Sequence, residues 1–256
     1  MVKLSIIIPA HNEEERILKT LKDYAAFFDI KLKKNYELIV IPNACKDNTT
    51  KIVAEFSKKQ HRVKYKELKE AGKGIALIEG FKIANGSLIG FVDADNSTSP
   101  KEFNKLMEAI NSYDGAIASR WMKNSIVDIK QPLQRVIAGR VFNFLIRFTL
   151  GLNFHDTQCG AKLFKKEAIK KVYTKLGITK WAFDIDLLYL FKRNGYTIKE
   201  VPIKWADTIS SKLKIPKASF EMFLALIRLR LIYSPLNFIV KAYDALPESI
   251  KIHHRL

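Results

Sequence analysis

Residues 87–100 read SLIGFVDADNSTSP. The apolar stretch 88–92 stops abruptly at Asp93-Ala94-Asp95. A short apolar run bounded by turn residues reads as a buried strand. Behind it, Ser99 and Pro100 supply the cap and first-turn residue of a helix over 100–110. The same alternation extends to both sides. Strands are predicted over 4–8, 37–41, 62–65 and 115–118. Helices are predicted over 13–28, from Asp47 or Asn48 to about 57, and over 72–84. Alternating strands and helices make a parallel α/β sheet. Such sheets bind ligands at the carboxyl ends of their strands, where Asp93 and Asp95 fall.

Two carboxylates at i and i+2 repel unless a cation sits with them. A divalent metal, Mg²⁺ or Mn²⁺, holding a diphosphate meets that need with oxygen ligands. A solvated turn capping the next helix is the plain alternative for so short an acidic pair.

The chain has 256 residues, 48% of them hydrophobic, and a net charge of +18. This is a globular composition. The charge calls for an anionic partner: nucleic acid, an acidic membrane surface or a phosphorylated substrate. Cys45 and Cys159 have no metal-binding spacing, and a reducing, cytosolic setting fits them. The run 4–8 reads as a first strand rather than a signal peptide. No apolar stretch is long enough to span a bilayer without a charge inside it. Residues 132–150 and 218–233 have helical patterns with wide apolar surfaces and basic residues. At 100° per residue, Arg140, Asn143 and Arg147 share one face. Such helices belong in a core or in a membrane interface.

The motifs occur in a particular order: PAHNEE (9–14), PNACKDNT (42–49), GKG (72–74), DADNST (93–98) and SRW (119–121). HDTQCGAKLF (155–164), KWAFDIDLLYL (180–190) and GYTIKEVPIKW (195–205) follow. The series resembles family 2 glycosyltransferases of the GT-A fold. Within that family it resembles the branch that moves a sugar onto dolichyl or polyprenyl phosphate, and in particular the dolichyl-phosphate β-glucosyltransferases. The likeness runs from residue 3 to about 215.

The resemblance implies an α/β, GT-A, Rossmann-like sheet, mostly parallel and flanked by helices, with amphipathic helices in the C-terminal half. Residues 1–215 would form the catalytic domain, including an interfacial helix at about 132–150. Residues 216–256 would be an amphipathic, membrane-associating segment. Pro9, His11, Glu13, Asn43, Asp47, Lys73, Asp93, Ala94, Asp95 and Lys212 would bind the nucleotide sugar. Asp93 and Asp95 would hold the metal. Arg120 and Arg135 would take the acceptor phosphate, because a guanidinium fork pairs with phosphate at two points. Asp93, Asp95, Arg120 and Asp184 would carry catalysis. Asn43 stands where the family has an acidic pair, and its amide can still meet a base edge. Asp47 can equally be a cap. Asp156, Gln158 and Cys159 suit a buried structural network. On a helix, Asp184 and Asp186 lie about 200° apart, so only one can face the site.

The implied reaction inverts configuration, moving glucose from UDP-glucose onto dolichyl or polyprenyl phosphate at the cytoplasmic membrane face. The protein would sit there in a peripheral or monotopic manner. GDP-mannose as donor, and a soluble family 2 enzyme acting on a glycan, are the alternatives within enzymes. A basic nucleic-acid-binding protein is the alternative from another class, although no recognised reading motif accompanies the charge.

Overall fold

Apolar runs become strands where expected: β1 (Leu4–Ala10), β2 (Tyr36–Pro42), β3 (Val63–Tyr65), β4 (Leu88–Phe91) and β5 (Gly115–Ser119). Between them lie α1 (Ile17–Leu32), α2 (Thr49–Lys59), α3 (Lys73–Ile83) and α4 (Pro100–Ala109). The computed structural model describes residues 2–128, 133–177, 182–206 and 215–246. Its second half adds β6 (Ile126–Val127), α5 (Leu133–Leu150), β7 (Lys162–Lys165), α6 (Lys166–Val172), α7 (Phe183–Arg193), β8 (Ile198–Pro202), β9 (Lys204–Trp205), α8 (Ile215–Ile232) and α9 (Asn237–Asp244).

Seven strands form one sheet in the order β3-β2-β1-β4-β7-β5-β8. All neighbours are parallel except β7, which runs antiparallel to both β4 and β5. This strand was not anticipated. Gly90 admits it: a Cβ there would lie 2.5 Å from the Lys162 carbonyl oxygen. β6 and β9 pair separately, in parallel.

Alternate residues of the central strands feed opposite faces. Ile6, Ile8, Leu38 and Val40 pack with Tyr24, Phe28 and Phe103. Ile7, Ile39 and Ile41 pack with Leu77, Phe81, Leu187 and Phe191. Burying each such side chain contributes about 1.5–3 kcal/mol, which is why strands covered on both faces need unbroken apolar runs. In a third cluster Phe142, Ile146 and Leu150 of α5 meet Ile185 and Leu188 of α7 and Leu226 and Leu229 of α8. The helix at 215–232 thus shares a core with the sheet-flanking helices.

α1 begins at Ile17, the first residue of the apolar spacing, and not at residue 13 where the helix was expected. The preceding loop is pinned from outside. The Glu13 amide donates to Thr49 Oγ1 (2.7 Å) and the Glu14 amide to Asp47 Oδ2 (3.1 Å). α4 starts as its sequence implies, with Pro100 in the first turn and the Ser99 hydroxyl accepting from the Glu102 amide. Among the described residues no single helix is long and apolar enough to cross a membrane. Met222–Ile232 and Asn237–Asp244 together have the length and composition, but are bent by 118°.

Candidate active site

The carboxyl ends of β1, β2 and β4 lead into three turns that each hold a non-glycine residue in the left-handed region. These are Asn12 (φ 55°), Ala44 (φ 47°) and Asn96 (φ 61°). Such conformations cost on the order of 1–3 kcal/mol each and gather at functional sites.

The first turn carries His11, whose Nδ1–H donates to the Asn43 carbonyl oxygen (2.6 Å) while Nε2 accepts from Asn12 Nδ2 (3.3 Å). Pro9 is buried within β1. Glu13 pairs with Arg16 at 2.7 Å. Burial raises the Glu13 pKa against the pull of Arg16, and the negative charges of Asp95 and Asp93 add to the rise. The three acids therefore share one field.

The second turn is built by Asn43, which is almost fully buried. Its amide nitrogen donates to the carbonyls of Ala10 (2.8 Å) and Ile41 (3.2 Å), and its oxygen accepts from the Gly72 amide (3.0 Å). Both donors are taken up by main chain, so the base contact expected of this amide gives way to a scaffolding role: it ties β1, β2 and the GKG turn together. Asp47 precedes the N-cap residue Asn48 of α2 and braces the turn rather than occupying the cap itself. Oδ1 accepts from the Thr49 amide and hydroxyl, and Oδ2 from the Glu14 amide. These hydrogen bonds outweigh partial burial and lower its pKa.

The third turn holds the acidic pair. Asp95 Oδ1 accepts from the Ser97 amide (2.9 Å) and hydroxyl. Ala94 is buried, its carbonyl oxygen accepting from Thr20 Oγ1 (2.6 Å). The Asp93 side chain is 42% exposed and meets Lys73 Nζ at 2.9 Å. Gly160 of the CGA segment makes that position possible. A Cβ at residue 160 would fall 1.7 Å from Asp93 Oδ2, so any larger residue would displace the carboxylate from this position.

From Asp93 a ladder of alternating charge runs inward. Lys73 Nζ also lies 3.5 Å from Asp184 Oδ2, and Lys162 Nζ lies 2.7 Å from Asp184 Oδ1. Lys162 is fully buried and donates as well to the Cys159 carbonyl oxygen (2.7 Å). Both ammonium groups sit over the Phe91 ring, at 5.6 and 5.5 Å. Burial alone would raise the Asp184 pKa, but the two lysines more than offset it and hold the carboxyl below its usual range. For Lys73, burial opposes the charge and Asp184 and Asp93 prevail, raising its pKa. An aspartate gripped by two cations is a poor proton acceptor. Two positions along, Asp186 points elsewhere and accepts from the Tyr233 hydroxyl (2.7 Å). Burial pushes its pKa up to about 7 against that hydrogen bond.

Arg120, behind β5, forms a buried fork with Asp156: Nε to Oδ2 at 2.7 Å and Nη2 to Oδ1 at 2.9 Å. Burial disfavours both charges, yet the pairing raises the Arg120 pKa and lowers that of Asp156. Its guanidinium lies 5.3 Å from the Trp205 ring and 5.9 Å from that of Trp121. The fork uses Nε–H and one N–H of Nη2, leaving the remaining N–H groups of the guanidinium for another ligand. The buried network expected around Asp156 is present, with Glu200 accepting from the Asp156 amide (2.8 Å). Burial raises the Cys159 pKa to about 11, in keeping with a small core residue.

The structure thus brings together Lys73, Asp93 and Asp184, adds Lys162, and keeps Arg120 with Asp156. The Arg135 side chain and Lys212 lie outside the described residues. No group of three or more His, Cys, Asp or Glu side chains suited to a metal occurs among the described residues. Lys162 escaped the sequence reading. The available signal was a lone lysine inside the apolar run Ala161, Leu163, Phe164.

A mostly parallel sheet with an acidic turn and a lysine at its carboxyl edge presents a ligand site where open α/β sheets carry one. The chain belongs to glycosyl transferase family 2, whose sequence model matches residues 5–173. It is 33% identical over 246 residues to a dolichyl-phosphate beta-glucosyltransferase of Dictyostelium discoideum, covering 91% of this chain and 75% of that protein. It is 32% identical over 250 residues to the protein of the same name from Saccharomyces cerevisiae, with 90% and 75% covered. In fold it is similar to the glucosyl-3-phosphoglycerate synthase of Mycobacterium tuberculosis, crystallised with Mn²⁺, UDP and phosphoglyceric acid. There the TM-score is 0.66 at 17% identity, over 90% of this chain and 78% of that one.

Proposed function

We propose that the protein transfers glucose from UDP-glucose onto dolichyl or a related polyprenyl phosphate, with inversion at the anomeric carbon. One observation carries the reading: the Asp93–Lys73–Asp184–Lys162 ladder at the sheet's carboxyl edge. The substrates follow from the names of relatives that match nine-tenths of the chain. Those names favour glucose over the GDP-mannose alternative.

In this reaction an acceptor phosphate oxygen attacks C1 of the sugar. The bond from C1 to the UDP oxygen breaks, its electron pair leaving with UDP. A phosphate monoester is already ionised at neutral pH, so no strong base is required. That agrees with an Asp184 held in its charged form. The site's task is to align the reactants and to balance charge. Lys73 is a third exposed and so placed to exchange Asp93 for a donor phosphate. Lys162 stays behind and keeps Asp184 in place.

The donor set of the acidic turn is carboxylate oxygen, which suits Mg²⁺ or Mn²⁺. Asp93 and Asp95 would hold such an ion, with pyrophosphate oxygens and water filling the positions that protein groups do not. It would supply charge neutralisation on the departing diphosphate. The manganese and UDP of the Mycobacterium tuberculosis neighbour support this choice. His11, Glu13 and the Asn43 scaffold would frame the nucleotide, and Arg120 the acceptor phosphate.

The acceptor is a lipid, so the protein works at a membrane surface, on the cytoplasmic face. Exposed Leu236, Phe238 and Ile239 at the start of α9, and a net charge of +18, support attachment to an anionic leaflet. The test is protection from thermal unfolding by a panel of nucleotide sugars, with Mn²⁺ or with chelator. UDP-glucose should protect best, and only with metal. Equal protection by GDP-mannose, or none by any sugar nucleotide, would overturn the reading.

A further inference from the structure

α5 has two apolar faces. Phe142, Ile146 and Leu150 are buried in the core on one. On the other, Ile137, Val141, Phe144 and Phe148 are 53, 55, 66 and 81% exposed. At 100° per residue these four fall within a narrow stripe diametrically opposite the buried line, and they run about 16 Å along the helix. A continuous stripe of this kind is not ordinary scatter of apolar residues on a surface.

Beside the stripe, Arg140 holds its guanidinium 4.8 Å from the Trp121 ring. Trp121 is the residue after Arg120, whose guanidinium lies near the same ring. The two arginines differ in one respect. Arg120 is neutralised by Asp156, whereas Arg140 has no carboxylate partner among the described residues. α5 is also fixed to the same loop. Asn143 Nδ2 donates to the carbonyls of Phe154 and His155 (3.0 Å each), and its oxygen accepts from the Thr157 hydroxyl (3.4 Å). These residues flank Asp156. The helix that carries Arg140 is therefore anchored beside Arg120, and Arg120 is close enough to Asp93 to feel its charge.

An unpaired guanidinium next to an apolar stripe suits an amphiphile such as a hydrocarbon chain ending in a phosphate monoester. We infer that Arg140 receives the phosphate of the prenyl acceptor while the Ile137–Val141–Phe144–Phe148 stripe takes its chain. This deepens the function proposed above and rests on it for the acceptor's identity. Arg140 then delivers the phosphate past Trp121 to Arg120, whose guanidinium keeps N–H groups that the Asp156 fork does not use.

The test uses the full chain, R140Q and the double variant F144S/F148S. Acceptors are a water-soluble short prenyl phosphate and dolichyl phosphate in phosphatidylcholine vesicles. R140Q should raise the acceptor KM about tenfold for both, the loss of one charge-assisted contact. Protection by UDP-glucose should stay at the wild-type level. F144S/F148S should raise the KM for dolichyl phosphate far more than for the short chain. An acceptor KM unchanged in R140Q overturns the inference, even if binding to phosphatidylserine vesicles weakens, because the arginine would then serve bilayer headgroups. A second arm titrates the short prenyl phosphate without donor and follows tryptophan fluorescence. A saturable change in wild type that R140Q loses supports the subsite even if UDP-glucose proves not to be the donor. No difference between the two proteins sinks the subsite, whatever the donor.

Discussion

Replacing Lys162 with methionine keeps the length of the side chain and removes its charge. Lys162 is fully buried, and its ammonium makes 2.7 Å contacts to Asp184 Oδ1 and to the Cys159 carbonyl. The substitution leaves a buried carboxylate with only Lys73, at 3.5 Å. Breaking a buried pair by removing one member costs roughly 3–5 kcal/mol. The residual Lys73 contact points to the lower end. For a chain of this size that is on the order of 10 °C in melting temperature. The double variant K162M/D184N, which removes both charges, should cost clearly less than the sum of the single variants. The pH dependence has a definite sign. A carboxyl held below its ordinary pKa contributes stability above that ordinary value, and the contribution is lost as pH falls through the folded-state value. K162M weakens the depression of Asp184, so acid unfolding should move to higher pH. Activity should fall as well, with a raised KM for UDP-glucose, because Lys73 is drawn back to Asp184. Thermal and acid denaturation with steady-state kinetics would measure all three. A loss under about 1 kcal/mol, or strict additivity in the cycle, would refute the ladder as an energetic unit.

Gly160→Ala should leave the fold intact while pushing the half-exposed Asp93 carboxylate aside, since the new methyl would lie 1.7 Å from Oδ2. Transfer should drop on the order of 10²-fold, the usual effect of an ångström of misplacement, and normal turnover would show that Asp93 need not be held there. Asn43→Ala should lower stability and donor affinity together, because it removes the partner of the half-buried Gly72 amide and a donor from each of the Ala10 and Ile41 carbonyls. Loss of affinity with unchanged melting would restore a direct contact to the base. Asp186, with a pKa pushed by burial to about 7, disfavours the folded state as pH rises from about 4, where the unfolded carboxyl ionises, towards 7. D186N should flatten that part of the stability profile, and an unaltered profile would show that the carboxyl is not held protonated.

The first half of the fold was legible because its physics is local. Each apolar run up to β5 is closed by polar turn residues, and Ser99-Pro100 announces α4. Where the chain depends on distant partners, the pattern misled or was silent. Residues 13–16 were read into the first helix, although its apolar spacing begins only at Ile17, and Thr49 and Asp47 take the amides of Glu13 and Glu14. β7 carries a buried lysine and runs against its neighbours, so neither its composition nor the strand–helix alternation revealed it. At the site, Asp93, Lys73 and Asp184 were found through their motifs, and the structure brings them into contact. Lys162 was hidden among 44 lysines and arginines, because nothing in a sequence marks which of them is enclosed. Asn43 was assigned to the correct turn, but its amide is occupied by backbone that only the folded chain brings near it. The 200° separation of Asp184 and Asp186 was a geometric necessity of the helix, and the two point to different partners as it required.

The most direct measurement is transfer itself. Purified protein is incubated with UDP-[¹⁴C]glucose, Mn²⁺ and dolichyl phosphate in vesicles, and the label is followed into the lipid phase. The account predicts a glucosyl phospholipid of β configuration, formed in proportion to UDP and suppressed by chelator or by Asp95→Ala in a protein that still folds. Label that stays in water while UDP accumulates, or an α-linked product, would contradict it.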